Sequence, residues 1–390
     1  MTLRRGLETV ASLSLFLGAA GCSTLYEIEV ANALPVDRAD EMVEVPLDRV
    51  PKAVVRPFVL RSGNGNEVAY QITGDNLMVF LASVPGNGKV SYRLVKGTPA
   101  PVDTVACGSY RPDRLDDFIW ENDKSGYRTY GPKLQAKGER GYGFDVFTKS
   151  VSVPVMKARF DAALRGKSYH IDHGDGMDAY GVGPTLGCGT PALIRNGEIV
   201  YPWAWKSFEV LDNGPLRFRV RLEYSPLTVD GRKVVETRVI TLDAGSYLNK
   251  VEVSYYGLGN DADVGVGIVV RKDNPEAYKL GDTFMGYADL GDKNIGENGE
   301  IYCGAVFSET PKSVSFRPFD NYDALMKNRR QGLAVGHVIG VSDYPAGKVF
   351  KYYFGSGWSK GGVESLDSWA KYLENFSSRS RDPLRITIKH

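Results

Sequence analysis

The chain has 390 residues, 43% of them hydrophobic, and its 48 Lys plus Arg against 47 Asp plus Glu leave a net charge of +1. That length and apolarity allow a large core and favour two domains, while the charge balance gives no footprint for nucleic acid or for adsorption to a membrane surface. With 44 glycines, 22 tyrosines and 16 phenylalanines and few long helical patterns, the composition points to an all-β protein.

The first segment, "MTLRRGLETVASLSLFLGAAGCS", places Arg4 and Arg5 before an apolar run from Val10 to Ala20, followed by Cys22. The run is shorter than the roughly 20 residues a membrane-spanning helix needs, and the order is that of a secretory signal. Cys22 after Ala19, Ala20 and Gly21 resembles the acylation site of a bacterial lipoprotein. The expectation is a signal over 1–21, a mature chain beginning at Cys22 and a periplasmic or outer-membrane location, with lipid as the membrane link. Plain secretion is the alternative. Cys107, Cys188 and Cys303 remain, with no CxxC spacing to suggest zinc.

From Tyr26 to about Pro101 come short alternating runs: "YEIEVAN", "EMVEVPL", "PFVLRS", "EVAYQIT", "LMVFLAS" and "KVSYRLV". Turn residues separate them, which predicts a small β-sandwich over 22–103 serving as scaffold or docking module. From 104 to 390 the strands lengthen, as in "RFRVRLEYSPL" and "VGVGIVVRK", and "TLDAGSYLNKVEV" reads as a hairpin. One helix is predicted near the end, in "VESLDSWAKYLENFSSR", where Leu366, Trp369, Leu373 and Phe376 recur at helical spacing.

Three stretches concentrate chemistry. "YHIDHGDGMDAYGVGPTLGCG", residues 169–189, holds His170, His173, Asp172, Asp175, Asp178 and Tyr180 among glycines. An imidazole oriented by a carboxylate is a general base near neutral pH, and the same groups suit a divalent metal, calcium or zinc. The competing reading is a turn whose side chains cap their own backbone. In "DDFIWENDKSGYRTYGP", Arg128 and Tyr130 share one face of a strand; Arg128 suits a substrate carboxylate and Tyr130 a proton transfer. Glu121 offers a carboxylate there and Trp120 an indole. The alternative is an Arg–carboxylate network fixing a sheet edge. Trp203 and Trp205 in "YPWAWKSF" and Trp358 in "FGSGWSK" are further candidate platforms for sugar rings, with core packing as the plainer role. His337, in an apolar strand, reads as a core residue. No P-loop, Rossmann fingerprint or GxSxG occurs.

"NGPLRFRVRLEY" followed by "ETRVITLDAGSYLNKVEV" resembles the supersandwich of galactose-mutarotase-like carbohydrate proteins. The chain is also similar, through "DDFIWENDKSGYRTYGP", "YHIDHGDGMDAYGVGPTLGCG" and "YYFGSGWSKGG", to the domain of unknown function 4861 family. The first resemblance implies a two-sheet antiparallel supersandwich with a saccharide cleft in the larger domain. Three activities stay open. A polysaccharide lyase acting on a uronate would use Arg128, His170 or His173, and Tyr130 or Tyr180. A glycoside hydrolase would use Glu121 with Asp172, Asp175 or Asp178. A non-catalytic binding lipoprotein needs only aromatic contacts. A mutarotase, pairing a His with a Glu, is a variant of the enzyme reading.

Overall fold

Alternation of apolar and polar residues, punctuated by turns, produces strands throughout the computed structural model, which describes residues 24–50, 57–202, 204–291, 297–320 and 334–389. All six short N-terminal runs are strands. Five strands form one sheet, in the order Arg385–Lys389, Thr24–Ala31, Lys89–Lys96, Phe58–Ser62 and Glu67–Val68. Arg38–Pro46, Leu77–Val84 and Tyr70–Ile72 form a second. Their inner faces enclose Tyr26, Ile28, Val43, Phe58, Phe80 and Leu94, a small β-sandwich with its own core.

The rest of the chain builds a larger antiparallel sandwich. A nine-stranded sheet contributes Val220, Ile240 and Val251, and a five-stranded sheet contributes Val264, Ile268 and Val338, to one continuous core. A four-stranded sheet closes one side in the order Asp145–Phe147, Gly126–Thr129, Asp117–Glu121 and Cys107–Arg111. Phe118, Trp120 and Tyr127 from this sheet enter the same core.

Among the described residues, α-helices are confined to connections and to the C-terminal stretch: α1 (Pro132–Ala136), α2 (Met156–Ala163) and α3 (Leu366–Arg381). Ser365 caps α3, accepting from the Ser368 amide while Ser368 returns the bond. Trp369 and Leu373 bury α3 against the outer face of the nine-stranded sheet. Gly304 permits this approach, because a Cβ there would lie 2.7 Å from Leu373 Cδ2.

The boundary read at 103/104 misses one connection. After α3 the chain returns to the first unit, where Arg385–Lys389 pairs antiparallel with Thr24–Ala31. "RITIK" alternates like any edge strand, but which sheet it joins is decided by where α3 delivers it. We expect a chain ending at Asp382 to lose roughly 2–3 kcal/mol in the small sandwich, from losing the packing of the half-buried Ile386 and Ile388 and uncovering the core they touch. Urea unfolding of the two lengths checks this.

Candidate functional site

Arg128 lies on Gly126–Thr129, a central strand of the four-stranded sheet, directly opposite Asp145. It is 3% exposed. Its Nε donates to Asp145 Oδ2 at 2.8 Å, and Nη2 reaches the same oxygen as well as Asp178 Oδ2 at 3.1 Å. Nη1 stands 3.6 Å from Asp117 Oδ2. The rings of Tyr130 and Phe147 lie 4.7 and 5.1 Å from the guanidinium carbon. Burial alone would lower the Arg128 pKa, but Asp145, Tyr130, Asp178 and Asp117 outweigh it and hold the group well above its ordinary value. A buried charge needs such pairing.

Arg128 faces three carboxylates, so the second guanidinium nearby, Arg114, matters. Arg114 is half-buried, and its Nε donates to Tyr169 Oη at 3.2 Å. Among the described residues it forms no salt bridge. Burial pushes the Asp117 carboxyl from its usual 3.8 up to about 6, with Arg128 and Arg114 opposing the rise. Tyr130 is half-buried, and its hydroxyl donates to Asp145 Oδ2 at 3.0 Å. Burial first, and then the carboxylates against the pull of Arg128, keep that phenol protonated far beyond the usual range.

The glycine-rich loop meets this cluster from the side. Met177 ties it down, with its carbonyl accepting from the Thr148 amide at 2.8 Å and its own amide donating to Thr148 Oγ1 at 3.0 Å. Asp178 therefore sits over Arg128, and His170 packs against Asp178. His170 Nδ1 is 2.9 Å from the Asp178 carbonyl oxygen and 3.5 Å from its carboxylate. A carbonyl oxygen only accepts, so Nδ1 carries a proton and donates it there. The ring is 4.6 Å from that of Tyr169, whose hydroxyl accepts from Arg114. His170, Arg114 and Tyr130 thus border one buried charge cluster.

Other residues singled out in the sequence are placed elsewhere. His173 is exposed and its Nε2 contacts the Ser168 carbonyl at 3.0 Å, within the turn. Asp172 Oδ1 accepts from the amides of Gly174 and Gly176, and Asp175 pairs with Arg159 at 3.3 Å. That part of the loop is therefore a self-capped turn. Among the described residues no group of three or more His, Cys, Asp and Glu side chains is arranged to hold a metal ion. The calcium or zinc reading finds no converging ligand set in the loop.

Glu121 corrects a second expectation. Its carboxylate accepts from the amides of Val155 and Met156 at the start of α2 and from Lys149 Nζ at 2.7 Å. This is a helix-anchoring site 2% exposed, not a group facing substrate. Trp120, Trp205 and Trp358, at 0%, 3% and 3% exposed, are core residues and present no ring face to solvent. The indole N–H of Trp120 donates to Asn249 and that of Trp358 to the Asn298 carbonyl. Tyr180 is buried against Arg271. Arg128 itself is enclosed and fully paired, so it cannot also grip a ligand carboxylate. Trp203 and Cys22 lie outside the described residues.

The aromatic face is instead made of tyrosines. Tyr142 and Tyr201, both half-buried, stack with centroids 5.0 Å apart. Gly141 packs on the Tyr130 ring, where a Cβ would come within 2.6 Å of Cδ2. Sequence reasoning missed Arg114, Tyr142 and Tyr201. "RPDRLDD" looks like a solvated turn, and only the neighbouring "YPWAW" marks Tyr201 as part of an aromatic cluster.

Comparison with known proteins adds a family and a relative. The family model described as "Domain of unknown function (DUF4861)" matches residues 30–386. "Uncharacterized protein P7" of Formosa agariphila is 26% identical over 414 residues, covering 98% of each chain. Among solved structures, a protein in glycosyl hydrolase family 38 from Enterococcus faecalis aligns with TM-score 0.48 at 9% identity, over 94% of this chain and 47% of its own. An alpha-mannosidase from Enterococcus faecalis aligns with TM-score 0.47 at 9% identity, over 94% of this chain and 46% of its own. The chain spans about half the length of these solved structures.

The raised Asp117 pKa has a measurable consequence. The folded chain binds that proton at higher pH than the unfolded chain, so stability falls as pH rises from the usual 3.8 through about 6. Asp117→Asn removes the titration. The unfolding free energy of the variant minus that of the wild type should grow by about 2 kcal/mol between about pH 4 and pH 7, read from urea curves.

Proposed function

We propose that this chain, which belongs to the DUF4861 family, is a carbohydrate-active protein that cleaves a uronic-acid-containing saccharide by β-elimination. The observation that carries this reading is that His170 and Arg114 both contact Tyr169 beside the Arg128 cluster, which the half-buried Tyr130 borders. Sugar rings expose apolar C–H faces, and half-buried phenol rings offer complementary platforms with hydroxyls at their rims.

Elimination needs three groups. The substrate carboxylate must be neutralised so that the proton on the adjacent ring carbon becomes acidic, a base must take that proton, and an acid must protonate the departing glycosidic oxygen. Arg114, which forms no salt bridge among the described residues, takes the carboxylate. His170, oriented by the Nδ1 contact to the Asp178 carbonyl, takes the proton. Tyr130 gives its proton to the leaving oxygen, and Arg128 Nη2, 3.3 Å from the phenol oxygen, stabilises the negative charge left there. Asp145 and Asp178 act through Arg128 and His170 as positioning residues. The hydrolase reading is less well supported, because Glu121 and Asp175 are held in structural ion pairs.

A panel of acidic and neutral polysaccharides tests the proposal, with ultraviolet absorbance and reducing ends read together. Absorbance should rise with a uronate-bearing polymer. Reducing ends without absorbance would replace elimination by hydrolysis, and neither signal would leave binding alone. His170→Ala should lower the rate by roughly 10²–10⁴-fold, with the melting temperature nearly unchanged because the imidazole is partly exposed. Tyr142→Ala should raise KM more than it lowers kcat.

The proposal includes export and a lipid anchor at Cys22, supported by the basic start and short apolar run. Mass spectrometry of the mature protein should find an acylated Cys22 as the first residue. An unmodified N-terminus beyond Cys22 would remove the anchor but not export.

A further inference from the structure

Where the small sandwich, the nine-stranded sheet and α3 meet, the structure leaves a cavity of ≈ 460 Å³. Small-molecule sites run from roughly 300 to 1,000 Å³ and favour such junctions between domains. Thr241, Lys250 and Tyr353, on its lining, are register partners on three successive strands of the sheet. Tyr372 and Phe376 on α3 form an aromatic side, and Glu41 and Glu44 come from the small sandwich.

The charges sort themselves. Arg217 is bound by Asp243 at 2.6 Å and by Glu44 at 2.7 Å, and Arg379 faces Glu41 at 3.5 Å. Lys250 is the cation left, since among the described residues its ammonium has no ion-pair partner, while the lining carboxylate of Asp40 accepts from Ser83 Oγ at 3.1 Å. Beside it Thr241 is 4% exposed, yet its Oγ1 has no hydrogen-bond partner. A buried hydroxyl without a partner costs free energy unless something in the cavity completes it.

We propose that this junction is a second saccharide subsite, which takes the uronate end of an acidic sugar. The inference rests on the reading of the protein as carbohydrate-active, but it uses none of the residues assigned to cleavage. The sugar carboxylate pairs with Lys250 Nζ and accepts a hydrogen bond from Thr241 Oγ1. Ring hydroxyls donate to the remaining lone pairs of Glu44 and Asp243, and the C–H face lies against Tyr372 and Phe376. A neutral sugar leaves Lys250 unmatched, so the subsite selects for charge.

Calorimetric titration of D-glucuronate and D-galacturonate into the Arg114→Ala protein tests the subsite in a background where the cleavage face cannot hold a carboxylate. Saturable binding of at least one uronate is expected, with glucose at least tenfold weaker. Adding Lys250→Met should weaken uronate binding at least tenfold, and adding Thr241→Val should weaken it several-fold, with unchanged circular dichroism in both. No saturable uronate binding in Arg114→Ala, or equal binding with Lys250→Met, overturns the inference; equal binding of glucose overturns its charge selection. Elimination activity on polymer without uronate binding in Arg114→Ala removes the subsite alone. Lys250-dependent binding without any cleavage of polymer removes the proposed reaction alone.

Discussion

A guanidinium taken out of water is tolerated only where anions surround it, and Arg128 is held among Asp117, Asp145 and Asp178. These carboxylates come from three separate segments: the start of one strand, the facing position on another, and the glycine-rich loop. Satisfying one cation therefore locks the loop to the sheet. His170 and Tyr130 owe their positions to that lock, because each contacts a carboxylate that Arg128 holds. Burial, with a smaller push from Asp145, raises the Asp117 carboxyl to about 6 against the pull of Arg128 and Arg114.

Next to this cluster lies a second buried ion pair with a different use. Glu121 joins Lys149 to the first amides of α2, and Gly126 lets Met156 settle on the strand, since a Cβ there would reach 2.2 Å from its sulfur. This pair lies on the same face of the sheet as Arg128, four residues along the strand from Asp117. One face of the four-stranded sheet thus presents a cluster that borders half-buried groups at one end and a sealed anchor at the other. Both contain an acid and a base, and only access to solvent separates their roles.

The two sandwiches are joined by more than a linker. α3 grips the large sheet through Trp369 and Leu373, and the final strand is added to the small sheet beside Thr24–Ala31. Arg217 reaches across to Glu44, and Gln71 accepts from the Leu216 and Arg217 amides at 2.8 Å. These polar crossings frame the junction cavity and fix the spacing of its walls.

Strand existence and type were legible in the sequence, since an alternating run buries one face whatever it later packs against. The six N-terminal runs, the "TLDAGSYLNKVEV" hairpin and the amphipathic α3 are of this kind, and so is the family likeness carried by local motifs. The association of His170 with Arg128 and Tyr130 was also foreseeable, because few segments combine those groups. What local pattern does not encode is partner and exposure. Trp120, Trp205 and Trp358 look like sugar platforms until the sheets close over them, and Glu121 looks catalytic until α2 places its amides on it. Arg114 acquires a role only because Tyr169 ties it to the Arg128 cluster, and Tyr142 and Tyr201 stack only once the fold brings distant segments together. Periodicity is a property of neighbours along the chain, so the sequence determined the elements; burial and charge pairing depend on residues far apart in it, so only the tertiary structure decided which polar side chains became a site and which became part of the frame.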